Sequence, residues 1–367
     1  MTTGNNQLKP RHRSDSCFYY VATLSGLVTR RMLLLILLIP LTLEPLHVSA
    51  QDLNSLPDYK SSEPISRVIR VWGDSAMDTL MKYWQAGFGR HHPEVSFETK
   101  LLGTGTGMAG VYSGVADLAV MGREATASEI MAFEWVFKYK PSRVEVTTGS
   151  LNVPGKSFAV AVLVNNTNPL SKLTLAQLDA IFGNEHQRGL SNIRTWGDLG
   201  LTGEWQNKPI HAYGYDTETG TGTFFKKAVF AGSDKWNCEI KEFADLKLGN
   251  SLRDAGQRVL NALARDRYGI AYGNLGRNAR VKPLAVAAAD GKPFYEPTKA
   301  NLIERKYPLT RATFIYVNRA PGKQINPKVQ EFLRYILSKE GQREVVREGV
   351  FLPLSERTVR EQLKKLE

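Results

Sequence analysis

The sequence predicts an α/β fold made of two lobes. Strand-like and helix-like segments alternate along the chain, which is typical of sheets covered by helices. Two tracts of alternating glycine and threonine, residues 103–107 and 219–223, each follow a strand-like run and precede a helix-like run. The 367 residues suffice for two domains with a sizeable core. We therefore expect each tract to belong to one lobe, with both lobes closing on one ligand.

The predicted strands share apolar or alternating sequences bounded by turn residues. They cover residues 68–72, 95–102, 117–121, 158–164, 268–272 and 311–318. The predicted helices carry capping residues and apolar positions at helical spacing. They cover residues 75–88, a short stretch after each tract, 174–183, and about 327–338, 341–348 and 355–366. Asp74 or Ser75 is the expected cap of the first helix.

The N-terminal segment has the pattern of a cleavable signal peptide. Arg30 and Arg31 precede an apolar run at residues 33–39, and small residues at 48–50 offer a cleavage site. The apolar run is too short for a membrane span of about 20 residues. We expect residues 1–50 to be an N-terminal extension and signal peptide, residues 51–66 to be a linker, and the mature protein to be periplasmic.

The composition is that of a globular protein, with 42% hydrophobic and 23% charged residues. The formal net charge is +12, but the basic residues are dispersed, so nucleic acid is not an expected partner. Of the two cysteines, only Cys238 follows the predicted cleavage site, so no intrachain disulfide is expected. An exported protein without disulfides fits the bacterial periplasm when its core is large.

The two glycine-threonine tracts have the chemistry of anion cradles. Glycine lets the backbone approach a ligand closely, and threonine supplies a hydroxyl donor. The N–H groups of a helix's first turn add donors and a partial positive charge. Together these features bind anions. The sequence therefore predicts a small oxyanion as the ligand.

The surroundings of the second tract resemble a known family. Residues 213–221, Tyr-Gly-Tyr-Asp-Thr-Glu-Thr-Gly-Thr, resemble the Tyr-Gly-Arg-Asn-Ser-x-Ser-Gly-Thr loop of periplasmic phosphate-binding proteins, which serve phosphate ABC transporters. The first tract is similar to the family's Gly-Ser-Gly-x-Gly loop. Further matches follow in the family's order at residues 165–183, 269–272, 307–311, 337–342 and 351–355. The resemblance covers roughly residues 67–366.

The resemblance implies a periplasmic-binding-protein-like fold with a hinge. Lobe one would comprise residues 67–156 and 279–367, and lobe two residues 157–278, with crossings near 155–159 and 275–282. The implied function is capture of phosphate or a phosphate-like oxyanion for an ABC-transporter permease. It implies a monomeric binding protein, with no catalysis, cofactor or metal.

The resemblance also implies a set of ligand-binding residues. They are Ser75, Thr104, Gly105, Thr106, Arg123, Tyr215, Asp216, Thr219, Gly220 and Thr221. Three positions depart from the family pattern: Tyr215 stands in place of an arginine, Ala76 in place of a threonine and Gly122 in place of a serine. Each change removes a donor, so the identity of the anion stays open.

Two other classes of protein share some of these features. An extracellular anion sensor or scavenger could use the same fold, since a fold does not determine its partner. A dinucleotide-binding enzyme is suggested by Gly105-x-Gly107-x-x-Gly110 after a strand, with Glu124 further on. The short helix that follows and the export signal argue against the enzyme.

Overall fold

The computed structural model describes residues 53–62, 65, 67–151, 153, 159–248, 251–276 and 278–367. The predicted signal peptide, residues 1–50, lies outside the described residues. The strands are β1 (Val68–Gly73), β2 (Ser96–Lys100), β3 (Leu118–Met121), β4 (Ser142–Gly149), β5 (Ala161–Asn165), β6 (Lys172–Thr174), β7 (His211–Tyr215), β8 (Lys241–Phe243), β9 (Leu246–Leu248), β10 (Ser251–Arg253), β11 (Gly269–Gly273), β12 (Val281–Pro283), β13 (Ala285–Ala287), β14 (Ala312–Val317) and β15 (Phe351–Leu352). The helices are α1 (Asp78–Gly89), α2 (Thr104–Tyr112), α3 (Ala127–Phe137), α4 (Leu175–Phe182), α5 (Gly220–Val229), α6 (Ala255–Leu263), α7 (Lys299–Ile303), α8 (Pro327–Ile336), α9 (Lys339–Glu348) and α10 (Glu356–Lys364).

The first sheet has six strands in the order β15-β4-β14-β3-β1-β2. β1 pairs in parallel with β2 and β3, whereas β14 runs antiparallel between β3 and β4. Leu118 and Val120 of β3 pack into one core, and Ala119 and Met121 pack into another. Both faces of this sheet are therefore buried, which explains the continuous apolar run of β3.

The second sheet has five strands in the order β12-β5-β11-β7-β8. β7 is parallel to β8 and β11, and β5 is antiparallel to β11 and β12. Every residue of β5 and β11 is buried. The two sheets have separate cores, so the structure is the two-lobed α/β fold that the sequence predicts.

Several predicted elements are confirmed. α4 occupies the stretch predicted at 174–183, because Thr174 caps its first turn and Gly183 follows its last residue. Asp74 caps a single 3₁₀ turn, Ser75–Met77, that leads into α1. The predicted strand at 158–164 begins only at Ala161, and residue 158 lies outside the described residues.

The two tracts lie inside helices rather than in loops before them. α2 begins at Thr104 and α5 begins at Gly220, so most of each tract forms the helix's first turns. Gly103 precedes α2 with φ of 128°, a value that favours glycine. The backbone N–H groups of the tracts therefore point along the helix axes, as an anion cradle requires.

Part of the predicted linker packs on the first lobe. Leu56 and Tyr59 are buried, with exposed fractions of 5% and 9%. The Tyr59 hydroxyl donates to Glu331 Oε1 at 2.7 Å and contacts His92 Nε2 at 2.6 Å. Because this segment buries side chains and satisfies hydrogen bonds, residues 53–62 belong to the folded body.

The segment after residue 278, where the sequence predicts the end of lobe two, contributes to the same sheet and core as β5. β12 pairs with β5, and β13 pairs with β6. Further on, Leu302, Tyr307 and Leu309 join the core of the second sheet. The predicted crossing near 155–159 falls largely on residues outside the described part of the chain. We propose that lobe two extends to about residue 309.

Candidate functional site

The carboxyl ends of three parallel strands meet at one edge of the first sheet. Asp74 follows β1, Gly103 follows β2 and Arg123 follows β3, and these strands are neighbours. This edge is the usual ligand-binding position of open α/β sheets. The side chains that the sequence spreads over fifty residues are thus brought to one place by the strand order.

The second tract forms the start of α5 at the end of β7. Thr219 is the N-cap: its Oγ1 accepts from the Gly222 N–H at 3.2 Å and donates to the Asp216 carbonyl at 2.7 Å. Gly220 and Thr221 are the first helical residues, whose N–H groups cannot bond within the helix. Their end of α5 is electropositive because the peptide dipoles align.

Two arginines lie beside the first residue of α5. A Cβ atom placed on Gly220 would be 3.2 Å from Arg311 Nη2 and 3.8 Å from Arg123 Cδ. Arg123 comes from the end of β3 and Arg311 from the residue before β14, so both belong to the first lobe. The two lobes therefore meet where a helix N-terminus faces the guanidinium of Arg311, with the side chain of Arg123 alongside, an arrangement suited to an anion.

Arg311 is 7% exposed. Burial lowers the pKa of its guanidinium to about 10, an effect that the nearby carboxylate of Asp74 opposes and the charge of Arg123 reinforces. The carbonyl of Arg311 accepts from the Gly149 N–H at 2.7 Å, which fixes this residue between β4 and β14. A buried cation stabilises an anion more strongly than an exposed one, because little water screens it.

Arg123 is held by a carboxylate of the next helix. Its Nη1 and Nη2 donate to Glu129 Oε2 and Oε1 at 2.7 and 2.9 Å. This pairing raises the pKa of Arg123 and, despite burial, lowers the pKa of Glu129. Glu129 also completes the capping box of α3 with Thr126. The start of α3 thus positions Arg123.

Three threonine hydroxyls of the tracts donate within the protein. Thr104 Oγ1 donates to Asp74 Oδ2 at 2.8 Å, and Thr106 Oγ1 donates to the Gly103 carbonyl at 2.8 Å. Thr219 Oγ1 donates to the Asp216 carbonyl at 2.7 Å. These groups shape the helix starts, so backbone N–H groups and guanidinium groups remain the principal candidates for contacting the ligand.

Four other predicted ligand-binding residues have the following surroundings. The Tyr215 hydroxyl donates to Asn274 Oδ1. This hydroxyl also packs closely against α6, because a Cβ atom placed on Gly256 would lie 2.3 Å from the Tyr215 hydroxyl oxygen. Burial raises the pKa of Tyr215. Asp216 Oδ1 accepts from the Glu218 N–H at 2.9 Å within the turn before α5. Ser75 and Gly105 are exposed. We therefore omit Tyr215 from the proposed ligand contacts.

Arg311 is the site residue that the sequence analysis did not select. Its motif at residues 307–311 was recognised only as a landmark of the resemblance. A signal is nevertheless present, since a charged residue directly precedes the apolar strand β14. Charged residues beside strands are usually exposed, so only the packed structure reveals that this one is buried.

The rival enzyme motif lacks the geometry of a dinucleotide site. Gly105, Gly107 and Gly110 all lie within α2, which begins one residue before the first of them. In the dinucleotide fingerprint the glycines form the turn between strand and helix. Among the described residues, no group of His, Cys, Asp and Glu side chains could hold a metal ion. No helix in the same part of the chain is long and apolar enough to cross a bilayer.

One lobe presents the start of α5, and the other presents Arg311 and Arg123 at the facing edge. This arrangement is typical of a two-lobed solute-binding protein. The profile of the PBP superfamily domain matches residues 58–340. A phosphate-binding protein PstS from Pseudomonas aeruginosa is 31% identical over 314 residues, which cover 85% of this chain and 91% of the relative. The chain therefore belongs to the phosphate-binding protein family within the PBP superfamily.

Solved structures share this fold. PstS from Borrelia burgdorferi has a TM-score of 0.55 at 15% identity. The matched region covers 79% of this chain and 100% of the PstS chain. An ABC-type phosphate transport receptor from Vibrio cholerae has a TM-score of 0.52 at 18% identity, with 77% and 99% of the two chains covered. At these identities the similarity supports the fold.

Proposed function

We propose that this chain is an exported solute-binding protein that captures phosphate or a phosphate-like oxyanion between its lobes for uptake by an ABC transporter. The observation that carries this proposal is the meeting of Arg311 and Arg123 with Gly220 at the start of α5. The relative from Pseudomonas aeruginosa, named a phosphate-binding protein, supports the same ligand class.

The proposed contacts combine one fixed charge with backbone donors. The first-turn N–H groups of α5 and the guanidinium of Arg311 would replace the hydration shell of the anion. The Asp74 carboxylate is close enough to influence the pKa of both arginines. A carboxylate at that position favours an oxyanion that carries a proton, because the proton can be donated to it.

The ligand would hold the lobes together, since α5 belongs to one lobe and both arginines to the other. An anion that contacts both lobes binds the closed arrangement more tightly than the open one, and it therefore favours closure. The permease would then bind the surface that the two lobes form when they are closed. We propose export through the signal peptide in residues 1–50, a periplasmic location and a monomeric state. The chain would make or break no bond.

The decisive variant is Arg311→Met, which keeps the length of the side chain and removes its charge. Calorimetric titration with sodium phosphate at pH 7.5 should show affinity reduced at least about 10-fold, since hydrogen bonds to charged groups contribute about 1.5–3 kcal/mol. The matched control is Arg280→Met, at an exposed arginine, which should bind phosphate like the wild type. Circular dichroism melting checks that both variants fold.

Unchanged phosphate affinity in folded Arg311→Met would contradict the proposed site. Wild-type protein that releases no heat and shows no thermal shift with millimolar phosphate would contradict phosphate as the ligand. A parallel titration with sulfate, which carries no proton at this pH, tests the role given to Asp74: it should bind more weakly than phosphate.

A further inference from the structure

A cavity much larger than a phosphate ion adjoins the two arginines. Its volume is about 720 Å³, and its walls include Gly220, Arg123 and Arg311 at the proposed anion position. At about 30 Å³ per water molecule, this space could hold roughly twenty waters. Pockets of about 300–1,000 Å³ are typical of sites for organic ligands. The space beyond the anion position therefore needs an explanation.

The cavity follows one face of α5 along nearly its whole length. Gly220, Thr223, Phe224, Lys227 and Ala228 all line it. Their spacing of three and four residues places them on a single helix face. Ala228 lies eight residues after Gly220, which corresponds to about 12 Å along the helix axis at 1.5 Å per residue. An ion at Gly220 would leave most of this length uncovered.

The opposite wall comes from the first lobe and is partly apolar. Ala125, Ala312 and Phe314 face the cavity from the end of β3 and from β14. Phe224 stands on the α5 side, and the guanidinium of Arg311 lies 5.9 Å from the centre of its ring. The cavity thus offers one aromatic ring from each lobe, and the ring of Phe224 lies close to the buried cation.

Six other charged side chains of the wall form three ion pairs. Lys227 forms an ion pair with Glu124, and Arg305 forms one with Glu145. Lys226 Nζ lies 2.8 Å from Asp234 Oδ1. A second anionic group on the ligand would have to compete with these carboxylates. The wall away from Arg311 is therefore suited to an uncharged group with apolar surface.

We propose that the site takes an organic phosphate monoester, with its phosphate at Arg311 and its organic group in the cavity along α5. This inference rests on the proposed function, because it places the phosphate in the same cradle. Burial of the organic group between Phe224 and Phe314 adds apolar contact that orthophosphate cannot make. The preferred ligand would then bind more tightly than the free ion.

The test compares phenyl phosphate with inorganic phosphate by calorimetric titration of the wild-type protein. We expect phenyl phosphate to bind at least about 10-fold more tightly, as full burial of an aromatic group allows. If phenyl phosphate binds no better than inorganic phosphate, this inference is overturned while the proposed function stands. If neither ligand binds, both fail.

Variants locate the added affinity. Phe224→Ala should weaken phenyl phosphate about 10-fold and inorganic phosphate to a smaller extent, because the ring also packs beside Arg311. The matched control is Phe294→Ala, a truncation of a partly exposed ring outside the cavity lining. Ala228→Trp, which fills the far end of the cavity away from Arg311, should weaken phenyl phosphate and leave inorganic phosphate within twofold. An equal loss for both ligands in folded Phe224→Ala, or no loss in either cavity variant, would overturn the inference.

Discussion

Arg311 holds its charge at a buried position beside the start of α5. Its side chain is buried, and burial lowers the pKa of the guanidinium. Removing a charge from water costs free energy that an opposite charge can offset. A phosphate group at the start of α5 would add a negative charge to that of the nearby Asp74 carboxylate. The residue therefore links the stability of the folded protein to the occupancy of the site.

Tyr215 shows that position in a motif does not fix the direction of a side chain. The resemblance aligns it with a ligand-binding arginine, but its hydroxyl donates to Asn274 beside α6. Substituting arginine at this position would bury a charge among core residues instead of extending it to the ligand. The sequence shows that the arginine is missing and cannot show where the replacing ring packs.

We predict that Tyr215→Phe lowers stability and leaves phosphate binding within twofold. The lost hydrogen bond should reduce the free energy of unfolding by about 1 kcal/mol, measured by urea denaturation. Tyr213→Phe is the matched control, since the Tyr213 hydroxyl donates to Asp266 Oδ2 at 2.8 Å in the same lobe. Loss of phosphate affinity in Tyr215→Phe alone would mean that this hydroxyl contacts the ligand.

α5 combines the proposed anion cradle with one wall of the cavity. Thr219 fixes where this helix begins, and the capping bond orients the first-turn N–H groups. The same cap is visible in the sequence, because threonine directly precedes the glycine-containing helix. The element and its role as a cradle could therefore be predicted, whereas the cavity along its side depends on how the two lobes meet.

We predict that Thr219→Ala reduces both stability and phosphate affinity. Loss of an N-cap costs about 1 kcal/mol in the free energy of unfolding. Phosphate affinity should fall several-fold, because the first turn of α5 frays. Thr298→Ala removes the equivalent cap of α7, where Thr298 accepts from the Asn301 N–H. It should lower stability to a similar extent and leave phosphate affinity unchanged; equal affinity losses in both variants would contradict the cradle.

Local sequence signals account for the elements that were predicted. α4 carries a threonine cap and a following glycine, and β3 is a continuous apolar run. α3 was missed although Thr126 and Glu129 form a capping box that the sequence displays. The short strands β12 and β13 carry weak local patterns, because strand pairing with distant residues determines them.

The two-lobed arrangement follows from long-range pairing that the sequence shows only indirectly. The matched tracts predict two lobes, and the two separate cores confirm them. The pairing of β12 with β5 joins residues more than a hundred positions apart, so no local signal reveals that this segment joins the second sheet. The same reason explains why Arg311, far along the chain, was not placed beside Gly220.

An ion pair connects the lobes next to the cavity. Lys227 of α5 pairs with Glu124 of the first lobe, and Glu124 also pairs with Arg143. Lys227 is 69% exposed, so the pair contributes at most about 1 kcal/mol. It should nevertheless favour the closed arrangement of the lobes, because it forms only when α5 approaches the first sheet.

We predict that Lys227→Gln weakens phosphate binding by up to about fivefold in low salt, consistent with a surface ion pair. The difference from the wild type should shrink as ionic strength rises, because salt screens the exposed pair. Lys292→Gln, which removes the same charge from an exposed position outside the cavity, is the control. A Lys227→Gln effect that is absent, or independent of salt, would contradict a role for this pair in closure.

The most direct test of the central claim is a crystal structure of the mature protein grown with millimolar phosphate. We predict one phosphate ion at the start of α5, in contact with the backbone N–H groups of Gly220 and Thr221 and with the guanidinium of Arg311. A phosphate bound elsewhere, or an empty cradle in protein that calorimetry shows to bind phosphate, would contradict this account.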